Sequence, residues 1–161
     1  MKTKISIFWF RRDLRLEDNV GLCQALTSGY PILPIFIFDE TILSHIENKK
    51  DRRVDYIHQA LSKINVELKT HQSTLFTFYG KPLDIFKILL EKYDIQGVFC
   101  NRDYEPKAIK RDTEIYQFFK RKIFHSKHLK TKLFLIKTKY LKMMERLTLF
   151  TLRIPKNGKK N

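Results

Sequence analysis

Residues 8–19 read Phe-Trp-Phe-Arg-Arg-Asp-Leu-Arg-Leu-Glu-Asp-Asn, and this stretch decides the fold. Its first residues close the largely apolar run 4–10, which has the length of a strand covered on both faces. Ionic side chains then follow at once in Arg11, Arg12 and Asp13. Because open α/β folds gather ligands at the carboxyl ends of parallel strands, we expect these charges to lie at a ligand-binding edge.

Three further segments have the length and apolar composition of strands, namely residues 31–38, 74–79 and 97–101. Segments with helical spacing separate or follow them, so strand and helix alternate four times. Such alternation favours right-handed crossovers and a parallel sheet. The sequence therefore predicts an α/β fold, with a Rossmann-like open parallel sheet of about five strands and helices on both faces.

The predicted helices follow from caps and apolar spacing. Asp18 or Asn19 can cap a first helix that ends near Gly29. The later helices begin near Val54, at Pro82 and at Pro106. In the helix near Val54 the predicted buried face carries Val54, Ile57, Leu61, Ile64 and Leu68. In the helix at Pro82 it carries Leu83, Phe86, Leu89, Leu90 and Tyr93, and in the helix at Pro106 it carries Ala108, Ile109, Ile115, Tyr116 and Phe119.

Size and charge define two regions. A chain of 161 residues with 43% hydrophobic composition can bury one ordinary core. The net charge of +15 is concentrated at the carboxyl end, because residues 122–161 hold 12 of the 32 Lys and Arg residues but one of the 17 acidic residues. We therefore predict one domain over residues 1–121 and a basic tail over residues 122–161.

Other chemistries find little support. The five histidines are scattered without metal or triad spacing, and neither a G-x-G-x-x-G nor a P-loop motif occurs. Cys23 and Cys100 each lie in an apolar stretch, which favours buried, reduced thiols. The chain shows no signal peptide and no apolar run that could span a bilayer, so we expect a cytoplasmic protein with no membrane partner.

Two stretches carry a family resemblance. Residues 9–19 resemble the W-F-R-R-D-L-R-x-x-D-N signature of the DNA photolyase/cryptochrome family, and residues 101–112 are similar to its N-x-D-Y-E-P-Y-A-x-x-R-D run. Residues 34–39 match more weakly. The resemblance covers residues 4–121, and Lys107 departs from it where the family usually has tyrosine.

The resemblance implies an amino-terminal domain that binds an antenna pigment at its strand ends. It places no catalytic residue and no metal site in this chain, because the family's flavin-binding helical domain and electron-transfer tryptophans lie outside the matched region. The antenna-site residues that it implies are Phe10, Arg11, Asp13, Phe36, Phe38, Asp39, Arg53 (or its neighbour Arg52), Asn101, Asp103 and Glu105.

The same resemblance restricts the cofactor. Family members use a deazaflavin, flavin or folate antenna, and Lys107-Ala108 does not match the Asn-Glu pair of the folate-binding members. A deazaflavin, a flavin or an empty pocket is therefore favoured over folate. Complete relatives repair pyrimidine dimers in DNA with reduced FAD. We expect this domain to lack the FAD site, to be inactive in repair alone, and to have the missing helical domain as its partner.

The basic tail has a reading-frame interpretation. Codons can be chosen that encode residues 124–160 and that, shifted by one nucleotide, encode a photolyase-like string with an edge strand and the family's entry into its interdomain linker. We therefore predict that the tail is out of frame and that a strand within it would be incidental. Its lysines and arginines would give at most weak, non-specific attraction to DNA.

Three alternative functions share these features. A fragment of a cryptochrome-type photoreceptor would contain the same domain, and the sequence does not separate repair from signalling. A freestanding nucleotide-binding module would have the same architecture but would need a glycine-rich phosphate loop. A basic nucleic-acid-binding protein would depend on the tail.

Overall fold

The computed structural model describes residues 1–44, 51–125 and 132–136, with side chains described up to residue 121. Strands and helices alternate through most of it, as the apolar runs predict. The elements are β1 (Thr3–Phe10), α1 (Val20–Leu26), β2 (Ile32–Phe38), α2 (Glu40–Leu43), α3 (Arg52–Thr70), β3 (Phe76–Tyr79), α4 (Pro82–Lys92), β4 (Tyr93–Asn101), α5 (Pro106–His125) and β5 (Lys132–Ile136).

The strands form one sheet in the order β3-β2-β1-β4-β5. Each neighbouring pair is parallel, so the carboxyl ends of the strands lie at one edge. The first strand lies in the middle: the chain continues from it to β2 and β3 on one side, and then crosses back to β4 on the other side. This arrangement confirms the predicted fold class and creates a switch point next to the end of β1, where open α/β sheets form crevices.

Helices cover both faces of the sheet because the strands are apolar on both sides. One face packs α4 and α5 through Phe86, Leu89, Ile115 and Phe119 against the odd-numbered residues of β1, among them Trp9. The other face packs α1 and α3 against the even-numbered residues Phe8 and Phe10; its helical contacts are Leu22, Ala25, Leu61, Ile64 and Leu68. The alternation of side chains along β1 thus divides the core into two clusters.

Several predicted helix and strand boundaries are wrong by a few residues, and the predicted buried face of α5 is partly wrong. Tyr93 begins β4 instead of ending α4, and α1 ends at Leu26, short of Gly29. The third strand begins at Phe76, two residues later than predicted. On α5, Ile109 and Tyr116 are 43% and 48% exposed, so they lie outside the buried face.

The fifth strand lies beyond the predicted domain boundary at residue 121. Residues 132–136 pair in parallel with Gly97–Asn101. The local reason is the apolar run Leu133-Phe134-Leu135-Ile136, which has strand length. None of the helices in the described residues has the length and hydropathy needed to cross a membrane.

Helix α3 ends in a Schellman motif. The backbone N–H of Ser73 donates to the Leu68 carbonyl at 2.9 Å, and that of Gln72 donates to the Lys69 carbonyl at 3.0 Å. Gln72 has φ +55°, in the left-handed region that favours glycine. The motif therefore ends the helix, but the left-handed backbone conformation strains Gln72, because this residue has a Cβ.

Replacing Gln72 with glycine tests this strain. We expect Gln72→Gly to stabilise the domain by about 0.5–1 kcal/mol, because the left-handed conformation costs glycine nothing. Urea denaturation followed by circular dichroism measures the change. The control Gln59→Gly, in the middle of the same helix, is expected to destabilise by about 1 kcal/mol. A loss of stability in both variants contradicts the strain assignment.

Candidate functional site

The carboxyl ends of three strands meet at one cluster of polar side chains. Arg11, after β1, donates from Nη1 to the backbone carbonyl of Asn101 at the end of β4, at 3.4 Å. Arg111, on α5, has its Nη1 3.9 Å from Oδ2 of Asp39, which follows β2. The predicted residues Arg11, Asp39 and Asn101 therefore belong to one edge of the molecule.

A buried ion pair joins β1 to α5. Arg11 binds Asp112 through two parallel hydrogen bonds, from Nη1 to Oδ2 at 2.8 Å and from Nη2 to Oδ1 at 2.6 Å. The two side chains are 6% and 5% exposed. The Nε of Arg11 is buried without a hydrogen-bond partner. A bidentate pair of this kind fixes both position and orientation, so it sets where the first turns of α5 lie.

Trp9 lies under two guanidinium groups. The Cζ of Arg11 is 4.2 Å from the centroid of its ring, and the Cζ of Arg111 is 4.9 Å away. Burial lowers the pKa of Arg111, and the charge of Arg11 lowers it further. The face of β1 formed by its odd-numbered residues thus ends at Trp9, whose indole ring is covered by the guanidinium groups of Arg11 and Arg111.

On the other face of the sheet, Asn101 is the centre of a hydrogen-bond network. Its Nδ2 donates to Asp13 and, at 2.8 Å, to Oδ1 of Asn19, while its Oδ1 accepts from the backbone N–H of Gly21 at 3.0 Å. Asn19 also caps α1 by accepting from the backbone N–H of Leu22 at 3.1 Å. The amide of Asn101 therefore uses both donor hydrogens and an acceptor site to hold α1 against β4.

An open crevice lies beside this network. Its volume is about 460 Å³, and its walls come from the residues after β1 and β4: Arg11, Arg12, Asp13, Asn101, Arg102, Asp103, Tyr104, Glu105 and Pro106. Arg12 crosses it to pair with Glu105 and, at 3.5 Å, with Asp103. The hydrogen bond to Glu105 raises the pKa of Arg12, despite the opposing effect of partial burial. The guanidinium of Arg102 lies 5.9 Å from the ring of Tyr104.

The predicted site residues divide into two groups. Arg11, Asp13, Asn101, Asp103 and Glu105 line the crevice. Asp39 lies outside its lining, 3.9 Å from Arg111. Phe10 and Phe36 are buried in the core, and half-buried Phe38 packs against it. The side chain of Arg53 is 77% exposed and pairs with Asp51, whose pKa it lowers to about 2. A pigment role stays a prediction for all ten residues, including those that line the crevice.

Several residues of the site were absent from the predicted set, among them Arg12, Arg102, Tyr104, Arg111 and Asp112. Arg111 and Asp112 belong to the R-D end of the second matched run, and Arg102 and Tyr104 lie within it. The sequence therefore shows that these residues belong to the motif. It does not show which side chains they contact, because Asp112 is 101 residues from Arg11 along the chain. Among the described residues, no group of three His, Cys, Asp or Glu side chains is arranged to hold a metal ion.

The cysteines match the expected buried thiols. Both Cys23 and Cys100 are free and buried. Burial raises the pKa of Cys100 to about 11 and also raises that of Cys23. Neither thiol has the lowered pKa of a reactive cysteine.

A family model described as DNA photolyase matches residues 6–148. The chain belongs to the DNA photolyase family. The match includes the Arg11–Asp112 pair and the crevice, and it runs past the predicted boundary at residue 121. Family membership thus agrees with the resemblance of the two motifs.

Relatives include both branches of the family. A deoxyribodipyrimidine photo-lyase of Synechococcus is 30% identical over 109 residues, which are 68% of this chain and 22% of the relative. Cryptochrome-1 of Macaca fascicularis is 29% identical over 110 residues, which are 68% of this chain and 19% of the relative. The chain therefore spans about a fifth of the length of these curated relatives.

Solved structures share the fold. An archaeal photolyase from Sulfolobus tokodaii, described with two FAD molecules and an implied novel light-harvesting cofactor, is 32% identical with a TM-score of 0.67; the match covers 83% of this chain and 29% of that one. A class III photolyase from Agrobacterium tumefaciens is 25% identical with a TM-score of 0.65, over 84% and 26% of the two chains. Both matches cover less than a third of the neighbour's chain.

The contact between Gly21 and Asn101 provides a test of the network. A Cβ on Gly21 would lie 2.7 Å from Oδ1 of Asn101 and 3.0 Å from Cε2 of Phe8. We expect Gly21→Ala to destabilise the domain by about 1–3 kcal/mol, because α1 must move away from β4. Denaturant unfolding measures this change. The control Gln24→Ala, on the same helix, is expected to shift stability by less than about 0.5 kcal/mol; equal effects contradict the close approach.

Proposed function

We propose that the crevice after β1 and β4 binds a light-harvesting pigment of the flavin class, and that the domain passes the absorbed energy to a partner domain. The observation that carries this proposal is the crevice itself, which joins the two family motifs at the sheet's switch point. Its volume of about 460 Å³ lies in the range of small-molecule sites.

The residues of the crevice fit a planar, anionic cofactor. Tyr104 is 72% exposed and offers a flat aromatic face, and Arg102 lies beside it. Arg12 supplies a second cation at the opening, with 67% of its side chain exposed. Tyr104 would stack on the ring system, while Arg12 and Arg102 would hold phosphate or carboxylate groups. A bound flavin would supply light absorption; the protein's residues would orient it and exclude water.

The choice of flavin has two supports. The Sulfolobus photolyase, described with two FAD molecules, is 32% identical to this chain. In addition, Lys107 and Ala108 replace the Asn-Glu pair expected of a folate antenna. A deazaflavin is the second pigment to test, because its ring system has the same shape.

The activity of the complete protein is part of this proposal. Light-dependent repair of pyrimidine dimers, with FAD bound in a helical domain, is the function that the Synechococcus relative favours. A signalling role is the second candidate, favoured by the 29% identity to cryptochrome-1. Repair of dimer-containing DNA under light by the complete protein would decide between them. We place this protein in the cytoplasm and give the isolated domain no repair activity.

The boundary at residue 121 is proposed together with the out-of-frame tail. The nucleotide sequence around the codons for Arg121 and Lys122 tests it. We expect a one-nucleotide shift to open a continuous frame that encodes a linker and a helical domain. A closed shifted frame would reject the proposal.

Substitution of Tyr104 tests pigment binding. We expect Tyr104→Ala to raise the Kd for free FAD about tenfold, because the stacking surface is lost. Trp9, as the only tryptophan, reports binding through quenching of its fluorescence by energy transfer to the flavin. The control Tyr56→Ala removes a tyrosine that is 70% exposed on α3, outside the crevice, and should leave the Kd unchanged. Equal Kd values for all three proteins, or no binding of FAD or a deazaflavin, would reject the pigment site.

A further inference from the structure

The indole ring of Trp9 lies behind Arg11, which forms part of the crevice wall. The guanidinium groups of Arg11 and Arg111 cover the ring. The ring is 2% exposed. Arg11, whose guanidinium covers the ring at 4.2 Å, itself lines the crevice. Arg111 covers the ring at 4.9 Å but does not line the crevice. A neutral indole attracts cations in this arrangement.

The same geometry opposes oxidation of the indole. Removal of one electron leaves a positive charge on the ring, and two fixed cations within 5 Å of its centroid repel that charge. Burial limits the screening by water and salt. Asp112 and Asp39 offset part of the repulsion, since Asp112 pairs with Arg11 and Asp39 lies 3.9 Å from Arg111.

We propose that Arg11 and Arg111 together raise the one-electron oxidation potential of Trp9 and so prevent it from quenching a photo-excited pigment in the crevice. The functional part rests on the proposed pigment site. In the quenching step an excited acceptor gains one electron and the indole is left as a radical cation; no bond forms or breaks, and the return of the electron releases the excitation as heat. A higher potential disfavours that transfer, so the excitation persists long enough to pass to another cofactor.

Arg111 is the positioning residue in which this effect can be isolated. Its contacts with the carboxylates of Asp112 and Asp39 are 3.5 Å and 3.9 Å long, whereas Arg11 makes the short bidentate pair. The side chain of Arg111 is 19% exposed. Its lowered pKa, caused by burial and then by Arg11, agrees with a cation held among cations. Removal of the Arg111 charge therefore leaves the main link between β1 and α5 in place.

The potential of Trp9 can be measured in the pigment-free protein. Azide radicals generated by pulse radiolysis oxidise the indole, and the radical then equilibrates with a dissolved reference couple of known potential. We expect Arg111→Gln to make oxidation of Trp9 about tenfold more favourable, which is about 59 mV for a one-electron couple. Arg111→Lys keeps the charge and should behave as the wild type. The control Arg53→Gln removes an equal charge from the exposed pair on α3 and should have no effect.

A second variant changes the potential in the opposite direction. Asp39→Asn removes a carboxylate that offsets Arg111 but keeps a side-chain oxygen to cap α2, and it should make oxidation of Trp9 less favourable. Equal potentials in the wild type, Arg111→Gln and Asp39→Asn would overturn the proposal, as would equal shifts in Arg111→Gln and Arg111→Lys. Because no pigment is present, a failure here is separate from a failure of FAD binding.

Discussion

The buried pair between Arg11 and Asp112 determines how the sheet edge at the carboxyl ends of the strands is assembled. Two charged side chains that are each about 95% buried carry a desolvation cost, which only close bidentate geometry offsets. Loss of one partner would leave an isolated charge inside the domain, a change that typically costs about 3–5 kcal/mol. The pair is therefore a strong constraint on the direction of α5. That direction places Arg111 over Trp9 and brings the start of the helix to the crevice.

The network around Asn101 has a different role from the crevice beside it. Its amide groups are engaged with Asp13, Asn19 and Gly21, so they hold α1 and the loop after β1 in position. The groups that remain accessible at the crevice are those of Arg12, Arg102 and Tyr104. One family motif thus contains both a structural residue and candidate ligand-binding residues, separated by a few positions along the chain.

Sequence reasoning succeeded where the signals are local. Apolar runs predicted the four strands up to residue 101, and the alternation of strand and helix predicted the parallel sheet. It failed where partners are distant, because Arg11 has Asp13 nearby in sequence but pairs instead with Asp112. Tyr93 continues the helical spacing of α4, and without a glycine or proline stop nothing in the sequence marks the change to β4 there. The outer positions of Ile109 and Tyr116 show that a face can be misassigned by one step in a helix.

The position of β3 has a consequence for association. It is an edge strand of the sheet and is only four residues long, from Phe76 to Tyr79. Few unpaired backbone groups are thus available to a neighbouring chain, even though Phe76 and Tyr79 are 38% and 68% exposed. Natural sheets often limit intermolecular strand addition by such short edge strands. The domain accordingly presents aromatic side chains at that side while offering a template too brief for extended β-aggregation.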